Sequence, residues 1–305
     1  MKEHRLIHPV TMMCRTLEIG RSGYHRSIRP ENGLRARENR KLTADIENIF
    51  NENKKRYGSP RVTTQLRKNG IRVGENRVAR LMKQAAIRAK TPRKKNPKTT
   101  DSRHGGRIAP NLAGKMQIHR INQLWVADIT YIRTDLGWCY LAAVLDIYSR
   151  KIVGWQMSRT MEAWLVTDAL NRAIQQRKPP AERVVHTDRG SQYVSDQYIE
   201  LLKKHELTAS MSAKGNCYDN ATMESFFGTL KTEEIQDTQY STYDEARSSV
   251  FEYIELYYNR RRIHTSLLGD SPESFEEKNS PSGEENKETV ILPDCRETTN
   301  TVYLN

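Results

Sequence analysis

Tyr218-Asp219-Asn220-Ala221-Thr222-Met223-Glu224-Ser225-Phe226-Phe227-Gly228-Thr229-Leu230-Lys231 reads as a helix with two unlike faces. Met223, Phe226, Phe227 and Leu230 recur at i, i+3, i+4 and i+7, which makes one stripe apolar and fit for packing. Glu224 and Lys231 lie two turns apart, so both project from a neighbouring polar stripe. Asp219 reads as the N-cap of this helix. A lone Glu on a helix is ordinarily a solvated surface acid. Its company in the rest of the chain argues otherwise.

Toward the N-terminus, Leu124-Trp125-Val126-Ala127-Asp128-Ile129-Thr130-Tyr131-Ile132 is a β-prone run with one Asp in its middle. An acid inside a strand is disfavoured by propensity and costly if buried without a partner, so Asp128 asks for a cation. Arg183-Val184-Val185-His186-Thr187-Asp188-Arg189-Gly190 is a short apolar run that ends in Asp and Gly. Asp188 thus stands where a strand gives way to a loop, the usual place for a functional group in an α/β sheet. Thirty-five residues separate it from Glu224. Runs at 123–133, 138–147 and 151–158, divided by Asp135-Leu136-Gly137 and Ser149-Arg150, predict a three-strand antiparallel meander. A helix over 162–176, a strand over 183–187, a helix over 195–204 and a strand from Leu207 to Met211 follow before the Glu224 helix.

With these motifs in this order, the chain resembles the DDE transposases and retroviral integrases, most closely the OrfB-type transposases of bacterial insertion sequences. The resemblance is carried by Trp125-Val126-Ala127-Asp128-Ile129-Thr130-Tyr131, by Leu145-Asp146-Ile147-Tyr148-Ser149-Arg150 and by His186-Thr187-Asp188-Arg189-Gly190-Ser191-Gln192-Tyr193. Ser212 to Lys231 and Tyr258-Asn259-Arg260-Arg261-Arg262-Ile263-His264 complete it, over residues 10 to 278. It implies an α/β fold: a ribonuclease H-like integrase catalytic core, a five-stranded mixed sheet with flanking helices, preceded by an α-helical HTH-like domain. It also implies that Asp128, Asp188 and Glu224 are catalytic and hold two Mg²⁺ (or Mn²⁺) ions. Hard divalent ions prefer such oxygen donors, and a pair of them about 4 Å apart stabilises both the attacking and the leaving oxygen at a phosphodiester. The implied function is a DNA transposase that cleaves the ends of an insertion sequence and transfers the freed hydroxyl to a target.

Several residues keep two readings. Lys231 matches the family's basic residue after its Glu, expected to hold a terminal phosphate or base of the DNA. His186 either touches the site or is structural. Asn216 and Asn220 either touch DNA or serve as turn and cap residues. Asp146, at the end of the second strand, is the competing carboxylate. The resemblance further implies double-stranded DNA partners (element ends and target), a homo-oligomer on DNA, and an upstream OrfA-type partner or frameshift fusion. Two other functions stay open: a catalytically silent DNA-binding regulator, and a nuclease of the ribonuclease H type that only hydrolyses.

Charge supports the nucleic-acid reading. The 305 residues carry a net +13, but residues 1–120 hold 30 Lys/Arg against 9 Asp/Glu, while the remainder hold 20 against 28. A basic block of this size is an electrostatic footprint for DNA. Residues 1–40 form an N-terminal helical segment, whose stretch 9–27 is either a small helix-turn-helix or a packing hairpin. Residues 41–90 form an HTH-like domain with helices from Leu42 to Asn53, Arg61 to Lys68 and Glu75 to Ala86. In its third helix Arg77, Arg80 and Lys83 share a face suited to phosphates. Residues 91–118 read as a basic linker whose Arg93, Lys94 and Lys95 lie along the DNA backbone. Residues 119–278 are the catalytic core, in whose closing motif Arg260, Arg261 and Arg262 are further DNA contacts, and 279–305 a disordered tail. Cys14, Cys139, Cys217 and Cys295 fit neither a disulfide scaffold nor a zinc spacing. No apolar run of membrane length or signal peptide is present, so a cytoplasmic location is expected, with no membrane partner.

Overall fold

In the computed structural model, which describes residues 3–4, 6–27, 33–92, 108–179, 183–212 and 220–279, the chain divides into two units, Met1–Ala89 and Lys90–Asn305. In the first, α1 (Val10–Thr16) and α2 (Arg21–Ser27) form a short helical hairpin that buries Cys14 and Tyr24. The three-helix part follows as α3 (Leu34–Glu52), α4 (Ser59–Lys68) and α5 (Glu75–Gln84). Pro60 opens α4, where its missing N–H leaves no intrahelical bond unmade, and Gly70 at φ +82° turns the chain out of that helix. Ile46, Val62, Leu66 and Val78 are fully enclosed, so the periodic apolar residues of all three helices face one core. The first of the three begins eight residues earlier than its apolar spacing suggests. Leu34 to Lys41 is polar and exposed on most sides, and periodicity marks only the buried part.

The second unit is built on five strands, β1 (Leu124–Thr134), β2 (Gly137–Asp146), β3 (Ile152–Ser158), β4 (Val184–Thr187) and β5 (Thr208–Met211). Their order across the sheet is β3-β2-β1-β4-β5; the first three pair antiparallel, and β4 joins β1 and β5 in parallel. This mixed sheet is the architecture expected of the ribonuclease H-like integrase core. Period-two alternation sends Val126, Ile132 and Leu145 to one face and Trp125, Ala127 and Val144 to the other. The first face is covered by α8 (Ala221–Leu230) and α9 (Tyr243–Phe251), and the second by α6 (Ala163–Arg177) and α7 (Asp196–Lys204). Gly154 allows β3 to press against α6, because a Cβ there would run into the carbonyl of Ala169 and the backbone of Ala173. A last helix, α10 (Pro272–Asn279), packs Phe275 on Tyr148. No described helix is long and apolar enough to cross a membrane.

Two parts differ from the sequence expectation. Residues 110–113, read as linker, lie along β5: Met211 N–H donates to the Pro110 carbonyl at 3.4 Å, and the Leu112 N–H to Ser210 Oγ at 2.9 Å. Both α8 and α9 run on without a break into π-helical turns, Lys231–Ile235 and Glu252–Tyr258, which no feature of the sequence announces. The tail beyond Asn279 and the basic triplet Arg93, Lys94 and Lys95 lie outside the described residues.

Candidate active site

The two aspartates are neighbours because β1 and β4 are parallel. Their pairing runs from Leu124 opposite Val184 to Ala127 opposite Thr187, so the next residue on each strand is Asp128 and Asp188. Adjacent strands are about 4.8 Å apart, which sets two carboxylates side by side at the carboxyl end of the parallel pair. Each is held by backbone. Asp188 Oδ1 accepts the Gly190 N–H at 2.9 Å, and a Cβ at Gly190 would stand 3.0 Å from that oxygen, so glycine permits the tight turn. Asp128 Oδ1 accepts the Ile129 N–H at 2.7 Å.

Glu224 occupies the exposed side of α8, opposite the buried Met223, Phe226, Phe227 and Leu230. That helix is tied to the site at its start. Asn220 Nδ2 donates to Asp128 Oδ2 at 3.1 Å, and Arg150, from the turn after β2, donates to Thr222 Oγ1 at 2.7 Å. Burial pushes the Asp128 carboxyl up to about 7; Asp188 and Glu224 push the same way, against the Ile129 N–H and the Lys231 ammonium. Burial in turn lowers Lys231, which Asp128 opposes, and its Nζ lies 4.5 Å from the Tyr131 ring centroid. Asp128 therefore feels two further acids here. Among the described residues, however, no three His, Cys, Asp or Glu side chains lie close enough to hold one ion together.

The other residues singled out in the sequence fall in varied places. His186 is fully buried, with Nδ1 2.8 Å from Ser210 Oγ and Nε2 3.1 Å from Ser212 Oγ, which makes it a tie between β4 and the end of β5. Asp146 faces away from Asp128 and closes the β2–β3 turn, accepting the N–H groups of Tyr148 at 2.8 Å and of Asn122 at 2.6 Å. Arg80 and Lys83 are exposed on α5, whereas Arg77 is turned onto α3, donating to Asn39 Oδ1 at 2.8 Å and Glu38 Oε2 at 3.2 Å. Arg260 and Arg261 are exposed, but Arg262 is buried against Glu233 and is not presented to a DNA backbone. Asn216 and Asp219 lie outside the described residues; the residue flanking α8 is Asn220, whose side chain serves Asp128 rather than the helix end. A strand acid with an apolar run on both sides signalled Asp128. No local pattern could have signalled that Asn220 reaches it from 92 positions away.

A mixed sheet of this order, in a chain that also carries a helix-turn-helix-like unit, is the architecture of the integrase-type polynucleotidyl transferases, and the family comparisons agree. The Integrase core domain family matches residues 118–217, an Integrase core domain family matches again over 224–279, and the HTH-like domain family matches 32–95. Transposase InsF for insertion sequence IS3A of Escherichia coli (strain K12) is 42% identical over 282 residues, covering 92% of this chain and 98% of that protein. The insertion element IS600 uncharacterized 31 kDa protein of Shigella sonnei is 42% identical over 267 residues, 87% of this chain and 98% of its own. A chain of the simian T-cell lymphotropic virus intasome in complex with PP2A regulatory subunit B56 gamma aligns at 15% identity and a TM-score of 0.43, over 80% of this chain and 77% of that one, a likeness too distant to carry an argument. The chain belongs to the IS3-type InsF family of insertion-sequence transposases, and its function is DNA transposition.

Proposed function

We propose that Asp128, Asp188 and Glu224 together hold two Mg²⁺ (or Mn²⁺) ions and carry metal-dependent cleavage and strand transfer at the element's ends. The observation that carries this reading is the parallel register of β1 on β4, which ends one residue before Asp128 and Asp188; there the Asp128 carboxyl is raised to about 7 by burial, Asp188 and Glu224, against the Ile129 N–H and the Lys231 ammonium. Acids left facing acids at the open end of a sheet are a site built for added positive charge. The all-oxygen donor set fits a hard divalent ion; drawing Glu224 in from the face of α8 completes it. When bound, such ions supply activation of the attacking oxygen and neutralisation of charge on the leaving oxygen.

The chain's own residues then have defined tasks. Asn220 and the Ile129 N–H fix the Asp128 oxygens, and the Gly190 N–H fixes Asp188. Lys231 lends a positive charge to a phosphate near Asp128. In the first step water cleaves at the element's end and frees a 3′-hydroxyl. In the second, that hydroxyl forms a new P–O bond with the target as the target's own P–O bond breaks. Energy is conserved from bond to bond, so no nucleotide cofactor is required. Double-stranded DNA is the partner, met by the basic N-terminal unit, and the working form is a homo-oligomer on DNA with or without an upstream OrfA-type chain.

The test is strand transfer in vitro, with wild type and Asp188→Asn compared in Mg²⁺. Wild type joins donor ends to target, and the variant loses more than about a hundredfold. Equal activity in the two proteins sinks the assignment of the acid. Nicks without joined products favour the hydrolysis-only nuclease, and DNA binding without either product favours the silent regulator.

A further inference from the structure

The β1–β2 hairpin outruns β4 at Asp128 and outruns β3 beyond Tyr140, which pairs with Ser158. Pairing of β1 with β4 stops at Ala127 and Thr187, while pairing with β2 continues to Thr134 and Gly137. Everything beyond Asp128 on this hairpin therefore projects past the paired aspartates. One face of the projection carries Tyr131 and Arg133 on β1 and Trp138 on β2, with Arg133 directly opposite Trp138. Trp138 is 46% exposed, its ring meets that of Tyr131 edge to face at 5.1 Å, and the Arg133 guanidinium lies 5.6 Å from the indole centroid. On the other side of Tyr131 stands Lys231, whose charge reaches Asp128. Tyr131 and Arg133 alternate with Asp128 along β1, so this is the face that carries Trp125 and Ala127, and Lys231 links it to the carboxylates; cation, phenol ring, indole and cation lie together there.

We propose that this face, formed by Tyr131, Arg133 and Trp138 beside Lys231, is a stacking site for an unpaired nucleobase of the DNA strand that lies across Asp128 and Asp188. The inference rests on the strand-transfer reading of those acids. A half-exposed indole gains little from its own fold, but its exposed part suits contact with a base, and the flanking cations suit the phosphates on either side of that base. The platform is fixed before any ligand arrives. At the hairpin tip the Asp135 N–H donates to the Tyr240 carbonyl at 2.9 Å, Gln239 Nε2 donates to Asp135 Oδ1 at 2.9 Å, and Thr134 Oγ1 donates to the Gly137 carbonyl at 3.0 Å. The tip's acid is thereby engaged by Gln239. Bases inside a duplex hide their faces in the stack, so the ligand is a frayed or displaced nucleotide next to the reacting end.

The experiment uses the full chain carrying Asp188→Asn and an oligothymidylate of about twelve nucleotides, with one 5-iodouracil for photocrosslinking. Trp138→Ala weakens binding of the oligonucleotide about tenfold, Trp138→Phe restores most of it, and the crosslink maps to Trp138. An abasic oligomer of the same length binds the parent and the Trp138→Ala protein equally. Equal oligothymidylate affinity in both proteins, or an equal loss for the abasic strand, overturns the site, as does a change in oligomeric state with no change in affinity. Because this binding is read in a protein whose presumed reaction is blocked, it separates from the catalytic reading. A base-dependent loss alongside failed strand transfer by wild type keeps the platform and removes the chemistry, and the converse result removes the platform alone.

Discussion

The charged cluster around Glu233 and the one around Asp128, both among the described residues of the second unit, are handled in opposite ways. Around Glu233, 4% exposed, every charge is answered: Arg262 Nε and Nη2 donate to its two oxygens at 2.9 Å each, and the Tyr253 hydroxyl adds a third bond at 2.9 Å. Arg262 also approaches His264 Nε2 at 3.3 Å. Around Asp128 two more acids outweigh the Ile129 N–H and the Lys231 ammonium, and its carboxyl is pushed up to about 7, burial first. A closed network holds a fold together; a cluster of like charges stores free energy that a bound cation releases. What separates the two clusters is the balance of like and opposite charge around each acid.

Opening the closed network has the largest expected effect. Glu233→Ala strands the Arg262 guanidinium in the core and costs about 3–5 kcal/mol, read as a lower urea midpoint. Glu233→Gln keeps one acceptor for Arg262 and costs less. A Glu233→Ala midpoint equal to that of wild type contradicts the contrast on its stable side.

The reverse result is expected at Asp128. Its folded pKa of about 7 lies above the 3.8 of the free side chain, so the metal-free protein keeps the full benefit below about pH 4 and loses it as pH rises through about 7, where the carboxyl ionises against Asp188 and Glu224. Asp128→Asn removes that loss. At about pH 8, without metal, the variant is more stable by on the order of 2 kcal/mol, a gain absent below about pH 4. Added Mg²⁺ stabilises wild type and leaves the variant unchanged. Thermal melts at the two pH values decide the matter, and a variant less stable than wild type at the higher pH would make Asp128 an ordinary structural acid.

The same contrast explains how much was legible in the sequence. Asp128 and Asp188 could be singled out because each interrupts or ends an apolar run, and the meander followed by alternation marked the succession of strands along the chain, though not their order across the sheet. Asp146 ends a similar run, yet it folds back on the N–H groups of Tyr148 and Asn122, which depends on the path of the loop before β1. The pairing of Glu233 with Arg262 spans 29 positions and joins a π-helical turn to a motif of three arginines, so no local spacing announces it. A run of arginines reads as a solvated face from composition alone. Only the fold reveals that one of the three points inward. For the same reason the DNA-facing role expected of Arg77 was not separable from its tie to Asn39 on α3.

Arg260 offers the mildest and most selective test of that difference. Its side chain is 58% exposed, with Nε 3.5 Å from Glu273 Oε2, two residues away from the buried Arg262. An exposed pair of this kind contributes little, so Arg260→Ala shifts stability by less than about 0.5 kcal/mol. If the surface of the motif meets a DNA phosphate, the slope of log affinity against log salt falls by about one in the same variant. Arg262→Ala gives the opposite pair of outcomes, a large loss of stability with the salt slope of the remaining folded protein unchanged. An unaltered slope for Arg260→Ala would mean that the exposed part of the motif faces something other than the phosphate backbone. The motif's internal contacts, Arg262 on Glu233 and Asn259 on the Ile152 backbone, would then account for what it does in this chain.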